Sequence, residues 1–260
     1  MKSRWRLDGQ KALVTGGTKG IGNAIVVELA HLGAEVYTCA RSDADLQQCL
    51  AEWRAQGLKV HGSVADVSSA EDRAALLQKV GEAFGGSLDI LVNNVGTSIR
   101  RATVDYTSEE AEHVLRVNFH SCFAMMQLCH PLLKEAQGGG SVVNIGSVAG
   151  VTSIKSGTPY AASKAAMHKV TQNCACEWAG DGIRVNCVAP WYTNTPLASP
   201  VFEDKIKYAE ILSRTPMKRI AEAEEVSALV AFLCMRGASY ITGQVVCVDG
   251  GFTQNGWITN

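Results

Sequence analysis

Tyr160 and Lys164 stand four residues apart in YAASK (160–164). On a helix, positions i and i+4 share a face, so a phenol and an ammonium would point into one site. A phenol ordinarily titrates near ~10 and is a poor acid–base at neutral pH. A neighbouring ammonium favours the phenolate and brings proton exchange toward working pH. The pair therefore suits a proton donor to a carbonyl oxygen. Ser147 closes the run SVVNIGS (141–147), thirteen residues before Tyr160. The end of a parallel strand faces the crevice where ligands bind, and a hydroxyl there can donate to a substrate carbonyl. Alone, each has an ordinary alternative: a packed tyrosine, a solvated lysine, a serine capping a helix.

A second constellation lies near the start. KALVTGGTKGIG (11–22) runs from strand-like residues through glycines toward a helix. Gly16, Gly20 and Gly22 let the backbone turn tightly and approach a pyrophosphate closely. The helix that follows offers unpaired N–H groups and the positive end of its dipole. Thr18, Lys19, Gly20, Ile21 and Gly22 are thus candidate cofactor contacts. An NAD site would place a carboxylate at the end of the second strand, on the ribose hydroxyls. YTCARS (37–42) has Ala40 and Arg41 there and no acid. Arg41 and Lys19 suit a 2′-phosphate instead, so NADP(H) is expected over NAD(H).

These residues need a scaffold, and the chain supplies one. KALVT (11–15), AEVYTCA (34–40), LKVHG (58–62), DILVNN (89–94), SVVNIGS (141–147), IRVNCVAP (183–190) and QVVCVD (244–249) read as buried parallel strands. Between them lie stretches with helical spacing, such as 20–32, 69–84 and 158–179. Alternating strands and helices predict an α/β fold: one Rossmann-type doubly wound parallel sheet of about seven strands, with helices on both faces. All 260 residues fit a single domain of this kind. Between Pro190 and Glu222 the chain is irregular, with Pro196, Pro200, Pro216 and a short helical candidate at 202–212. A long insertion inside a compact domain is usually functional, so 191–217 reads as a substrate lid before the last strand.

Composition narrows the function classes. A net charge of −1 gives no sign of a nucleic-acid or membrane surface, and no apolar stretch is long enough to span a bilayer. No signal peptide is visible at residues 1–9, so a cytoplasmic location is expected. The nine cysteines show no CxxC or zinc-ribbon spacing, so they read as reduced and mostly buried, and no metal is expected.

Taken together and in this order, the motifs resemble the short-chain dehydrogenase/reductase family along essentially the whole chain. The matching residues are Thr15-Gly16 with Gly20 and Gly22, Asp66-Val67, Asn93-Asn94-Val95-Gly96, Asn118, Ser147, Tyr160, Lys164, and Asn186 with Pro190 and Thr195. Within the family, CEWA (176–179), IRVN (183–186), EVSALVAFLC (225–234), ASYITGQ (238–244) and DGGFTQNG (249–256) are most similar to plant tropinone reductases and their relatives.

The resemblance implies roles. Tyr160 gives its proton to the carbonyl oxygen as hydride arrives from the nicotinamide. Lys164 lowers the tyrosine's pKa and binds the ribose hydroxyls, Ser147 orients the carbonyl, and Asn118 holds a water that links Lys164 to solvent. Asp66 and Val67 bind the adenine, and Asn93 supports the loop under the cofactor, beside Gly96. Thr193 and Thr195, after Pro190, contact the carboxamide or phosphates. The family usually has glycine after that proline, whereas this chain has Trp191, and it has Val95 where alanine is usual. Family members assemble as homodimers or homotetramers through the helices expected here at 106–136 and 158–179.

The pocket is expected among 97–101, 148–159 and 191–217. Ile99, Val148, Trp191, Tyr192 and Leu197, together with Ser147 and Tyr160, make it largely apolar. That suits a cyclic or aromatic ketone of the alkaloid or secondary-metabolite kind. Arg100 on its rim would repel a cationic amine such as tropinone, which favours a neutral or anionic substrate; alternatively Arg100 points into solvent. The leading expectation is an NADPH-dependent ketone reductase. A reductase of 3-oxoacyl thioesters on the same fold is one alternative, and a non-catalytic NADP(H)-binding sensor or scaffold is another.

Overall fold

Seven short runs rich in valine and isoleucine form seven strands in a computed structural model that describes residues 4–256: β1 (Lys11–Thr15), β2 (Glu35–Ala40), β3 (Val60–Val64), β4 (Ile90–Asn93), β5 (Ser141–Ile145), β6 (Arg184–Pro190) and β7 (Val245–Val248). All pair in parallel in the order β3-β2-β1-β4-β5-β6-β7. β4 and β5 are buried at every position, whereas the edge strands β3 and β7 are half-exposed. Continuous apolar runs without alternation are what a strand covered on both faces requires.

Alternate residues still choose sides. Ala12, Val14, Val143 and Ile145 face one core, with α1 (Gly20–His31), α2 (Asp43–Ala55) and α9 (Ala223–Cys234). Leu13, Leu91, Val142 and Val185 face the other, with α3 (Ala70–Phe84), α5 (Ser121–Lys134) and α6 (Thr158–Glu177). The doubly wound expectation holds. No helix among the described residues is long and apolar enough to cross a membrane, and none of the nine cysteines is bridged.

The strand order reverses at β1, whose neighbours are β2 and β4. The loops after β1 and β4 therefore leave in opposite directions and open a crevice at the carboxyl end of the sheet.

Two details differ from expectation. The helix foreseen over 106–136 is α4 (Ser108–Leu115), one π-helical turn (Arg116–His120) and α5. The turn's extra residue shifts the helix face, and Asn118 lies fully buried within it. The candidate at 202–212 is split into α7 (Ser199–Phe202) and α8 (Lys205–Arg214), because the Asp204 side chain caps α8 by accepting from the N–H groups of Ile206 and Lys207. Helix α2 gave little periodic signal, since only Leu46 and Trp53 are buried.

Candidate active site

The glycine loop is shaped by contacts that leave no room for side chains. A Cβ on Gly17 would lie 2.2 Å from the Thr38 hydroxyl oxygen, and one on Gly22 would lie 2.1 Å from the Gly16 carbonyl oxygen. Gly16 and Gly20 hold φ of 70° and 54°, where glycine is favoured. The N-cap of α1 is Lys19, whose side chain makes no capping bond, whereas Ser42 and Ser69 cap α2 and α3. The first N–H groups of α1 thus remain for a ligand. Thr195 closes the cradle from the β6 side: its Cγ2 would lie 3.0 Å from a Cβ on Gly20. This cradle fits a dinucleotide pyrophosphate.

Asn94, rather than Asn93, secures it. The Asn94 amide donates to the carbonyls of Thr15 and Gly16, both at 3.0 Å. Asn93, expected to support the loop under the cofactor, donates to Asn144 in the buried layer between β4 and β5 at 2.9 Å. Successive strand residues face opposite ways, so the two asparagines cannot share a role.

The expected cations both have acidic neighbours. Lys19 pairs with Asp45 at 2.6 Å, and Arg41, itself exposed, sits within electrostatic range of Asp66. Burial pushes the Asp66 carboxyl up, but hydrogen bonds from Ser68 and the charges of Arg41 and Arg116 bring it below its ordinary value. The acid that pairs with Lys19 belongs to the first turn of α2. Val67 is buried, and its carbonyl accepts from Arg73 at 2.7 Å.

Ser147, Tyr160 and Lys164 meet at the end of β5. The Ser147 oxygen accepts from the Ala149 N–H at 3.1 Å. A hydroxyl accepting in this way keeps its own proton to donate. Lys164 is 3% exposed, and its ammonium donates to the Ile145 carbonyl at 2.7 Å. It lies 5.7 Å from the centroid of the Tyr160 ring. Among the described residues no carboxylate pairs with it. One turn further on, His168 is buried with its Nε2 unpartnered; burial and the Lys164 charge push its pKa down. A Cβ on Gly146 would lie 2.5 Å from that nitrogen. Gly146 therefore lets the Ser147 turn rest on the His168 ring.

Asn118 is spent on the protein. Its Oδ1 accepts from the Thr97 N–H at 2.7 Å, and its amide donates to the Thr97 carbonyl and the Ser163 hydroxyl, each at 3.0 Å. Both donors are used, so a water held here would bind an oxygen. A Cβ on Gly96 would lie 3.5 Å from both Asn118 Oδ1 and Lys164 Nζ, and glycine leaves that space open.

The rim is aromatic. Arg100 donates to the Tyr192 hydroxyl at 3.0 Å and lies 5.4 Å from its ring centroid, so it faces the segment after β6. Trp191 stacks on Phe252 at 3.8 Å and donates to Thr215 at 3.1 Å. The ring that replaces the family's glycine thus ties β6 to the chain after β7. Leu197 is exposed, Ile99 is half-buried, and Val148 is fully buried, backing the wall without facing the cleft. Pro190 ends β6 beside Val248, and the Thr193 and Thr195 hydroxyls donate to Trp191 and Thr193 carbonyls. A cleft lined by Trp191, Tyr192, Met217 and Gly250 lies beside this rim.

Sequence reasoning did not single out Gly17, Asp45, Thr97 or His168. An Asp three residues after Ser42 is a capping signal that would have found α2 and, with it, Asp45.

A family model described as enoyl-(acyl carrier protein) reductase matches residues 16–253. A tropinone reductase homolog of Arabidopsis thaliana is 54% identical over 254 residues, spanning 98% of this chain and 96% of its own. A tropinone reductase homolog of Datura stramonium is 52% identical over 258 residues, spanning 98% and 96%. The crystal structure of a gluconate 5-dehydrogenase from Burkholderia cenocepacia in complex with NADP and tartrate superposes with a TM-score of 0.91 at 31% identity, covering 96% of this chain and 98% of that one.

Proposed function

The chain belongs to the short-chain dehydrogenase/reductase family, and we propose that it reduces a neutral or anionic ketone, cyclic or aromatic, to its alcohol with Tyr160 as the proton donor. It is an NADP-dependent oxidoreductase. When bound, NADP(H) supplies the hydride for reduction and accepts it in the reverse direction.

The chain's own residues do the rest. Ser147 donates its free O–H to the substrate carbonyl and fixes its orientation. Tyr160 protonates the oxygen as charge develops there. Lys164 holds positive charge beside the phenol and, with one of its three N–H donors on Ile145, has two for the ribose hydroxyls. The observation that carries this reading is that buried ammonium, without a carboxylate partner among the described residues and 5.7 Å from the Tyr160 ring. A buried cation left without an acid is costly as structure alone, and such groups cluster at functional sites.

Substrate class rests on the rim. Trp191, Tyr192 and Leu197 favour an apolar ring, and the Arg100 guanidinium, held on Tyr192, disfavours a cationic amine. Residues 191–217, with α7 and α8, form the lid of one domain that includes the whole sheet. Exposed Phe123 and Leu128 on α5 suit a homo-oligomer.

Loss of NADPH absorbance on a panel of neutral cyclic ketones, aromatic ketones, keto acids and tropinone tests this. Turnover is expected with neutral or anionic ketones and little with tropinone. Efficient tropinone reduction, or no turnover of any ketone while NADPH binds, would overturn the reading.

A further inference from the structure

Lys19 is expected at the 2′-phosphate of the cofactor, and its ammonium pairs with Asp45 at 2.6 Å. β1 and β2 are neighbours, so the loops that follow them leave from the same end of the sheet. Lys19 belongs to the first loop and Asp45 to the first turn of α2 after the second. Their ion pair spans the ground that the adenosine ribose must occupy. A second contact joins the same elements: the Cys49 thiol of α2 donates to the Thr18 carbonyl at 3.5 Å.

We propose that Asp45 moderates the discrimination between NADPH and NADH, by competing with the 2′-phosphate for Lys19. NADPH must draw the ammonium from Asp45 and leave two negative groups near one cation. NADH brings no phosphate and leaves the pair intact. Asp45 thus moderates a preference for NADPH that Lys19 and Arg41 create. Both partners are partly solvated, with side chains 59% and 36% exposed, so the exchange is an adjustment rather than a lock.

The inference rests on Lys19 being a cofactor cation, and equilibrium binding to wild type, Asp45→Asn, Lys19→Gln and the double variant separates the two. Dissociation constants for NADPH and NADH are read from nucleotide fluorescence. Asp45→Asn is expected to tighten NADPH about two- to fivefold, the fold-change an exposed ion pair is worth, and to leave NADH unimproved. The gain should shrink at high salt and vanish in the Lys19→Gln background. Unchanged or weaker NADPH binding by Asp45→Asn overturns the proposal, as does an equal gain for NADH or a gain that persists without Lys19. If Lys19→Gln leaves NADPH affinity unchanged, the assignment of Lys19 fails and the proposal with it.

Discussion

Replacing Asn118 by leucine removes three hydrogen bonds at a site with no exposure and little change in volume. The Ser163 hydroxyl keeps its bond to the Tyr160 carbonyl, at 2.6 Å, so it is not stranded. The Thr97 N–H and C=O lose their partners at the bend between β4 and α4. Thr97 is half-buried, so the loss of both partners costs about 1–3 kcal/mol together. For a chain of this size that lowers Tm by roughly 2–6 °C. Thr97 begins the loop that carries Ile99 and Arg100, so turnover should fall as well, beyond what unfolding explains. Urea unfolding gives the stability, and NADPH-coupled turnover at a temperature where the variant is folded gives the activity. A stability loss below about 1 kcal/mol with wild-type turnover would refute the reasoning, because Thr97 would then need no partner.

Ser147→Ala should reduce turnover about a hundredfold, the usual worth of one donor to a developing oxyanion, while NADPH affinity is unchanged. Wild-type turnover would mean that the proton left free by Ala149 is not given to substrate. Glu225 is held at about 2, below its ordinary 4.5, chiefly by the Arg219 side chain and also by the Glu222 N–H. Its folded value lies below its unfolded one, so its contribution is full above pH 4.5 and is lost as pH falls toward 2. The pair is half-exposed, so Glu225→Gln should cost only about 0.2–1 kcal/mol at pH 7, and the difference from wild type should shrink as pH falls from 4.5 through 2 in acid unfolding. A difference that grows on acidification would contradict the sign.

Strands were legible because burial on both faces imposes unbroken Val and Ile runs: Lys11–Thr15 and Arg184–Pro190 fall within the sequence reading. Ser147, Tyr160 and Lys164 were legible because strand end and helical spacing place them without further help. Asn118 was marked by motif, but its π-helical turn was not, since RVNFH carries no proline or glycine to signal a break. Asn93 and Asn94 are adjacent, and only the facing of β4 tells which one reaches the glycine loop. Lys19 looked free because its partner Asp45 lies on a helix that buries only two residues and leaves a faint pattern.

The central claim is that Tyr160 is the proton donor beside a buried ammonium. Tyr160→Phe removes one oxygen and keeps the ring that lies 5.7 Å from Lys164. Its ketone turnover and its NADPH dissociation constant, measured on one preparation, test the claim most directly. Turnover should fall by about 10²–10⁴, the worth of general acid catalysis, with NADPH binding intact. Turnover within a few-fold of wild type would contradict it.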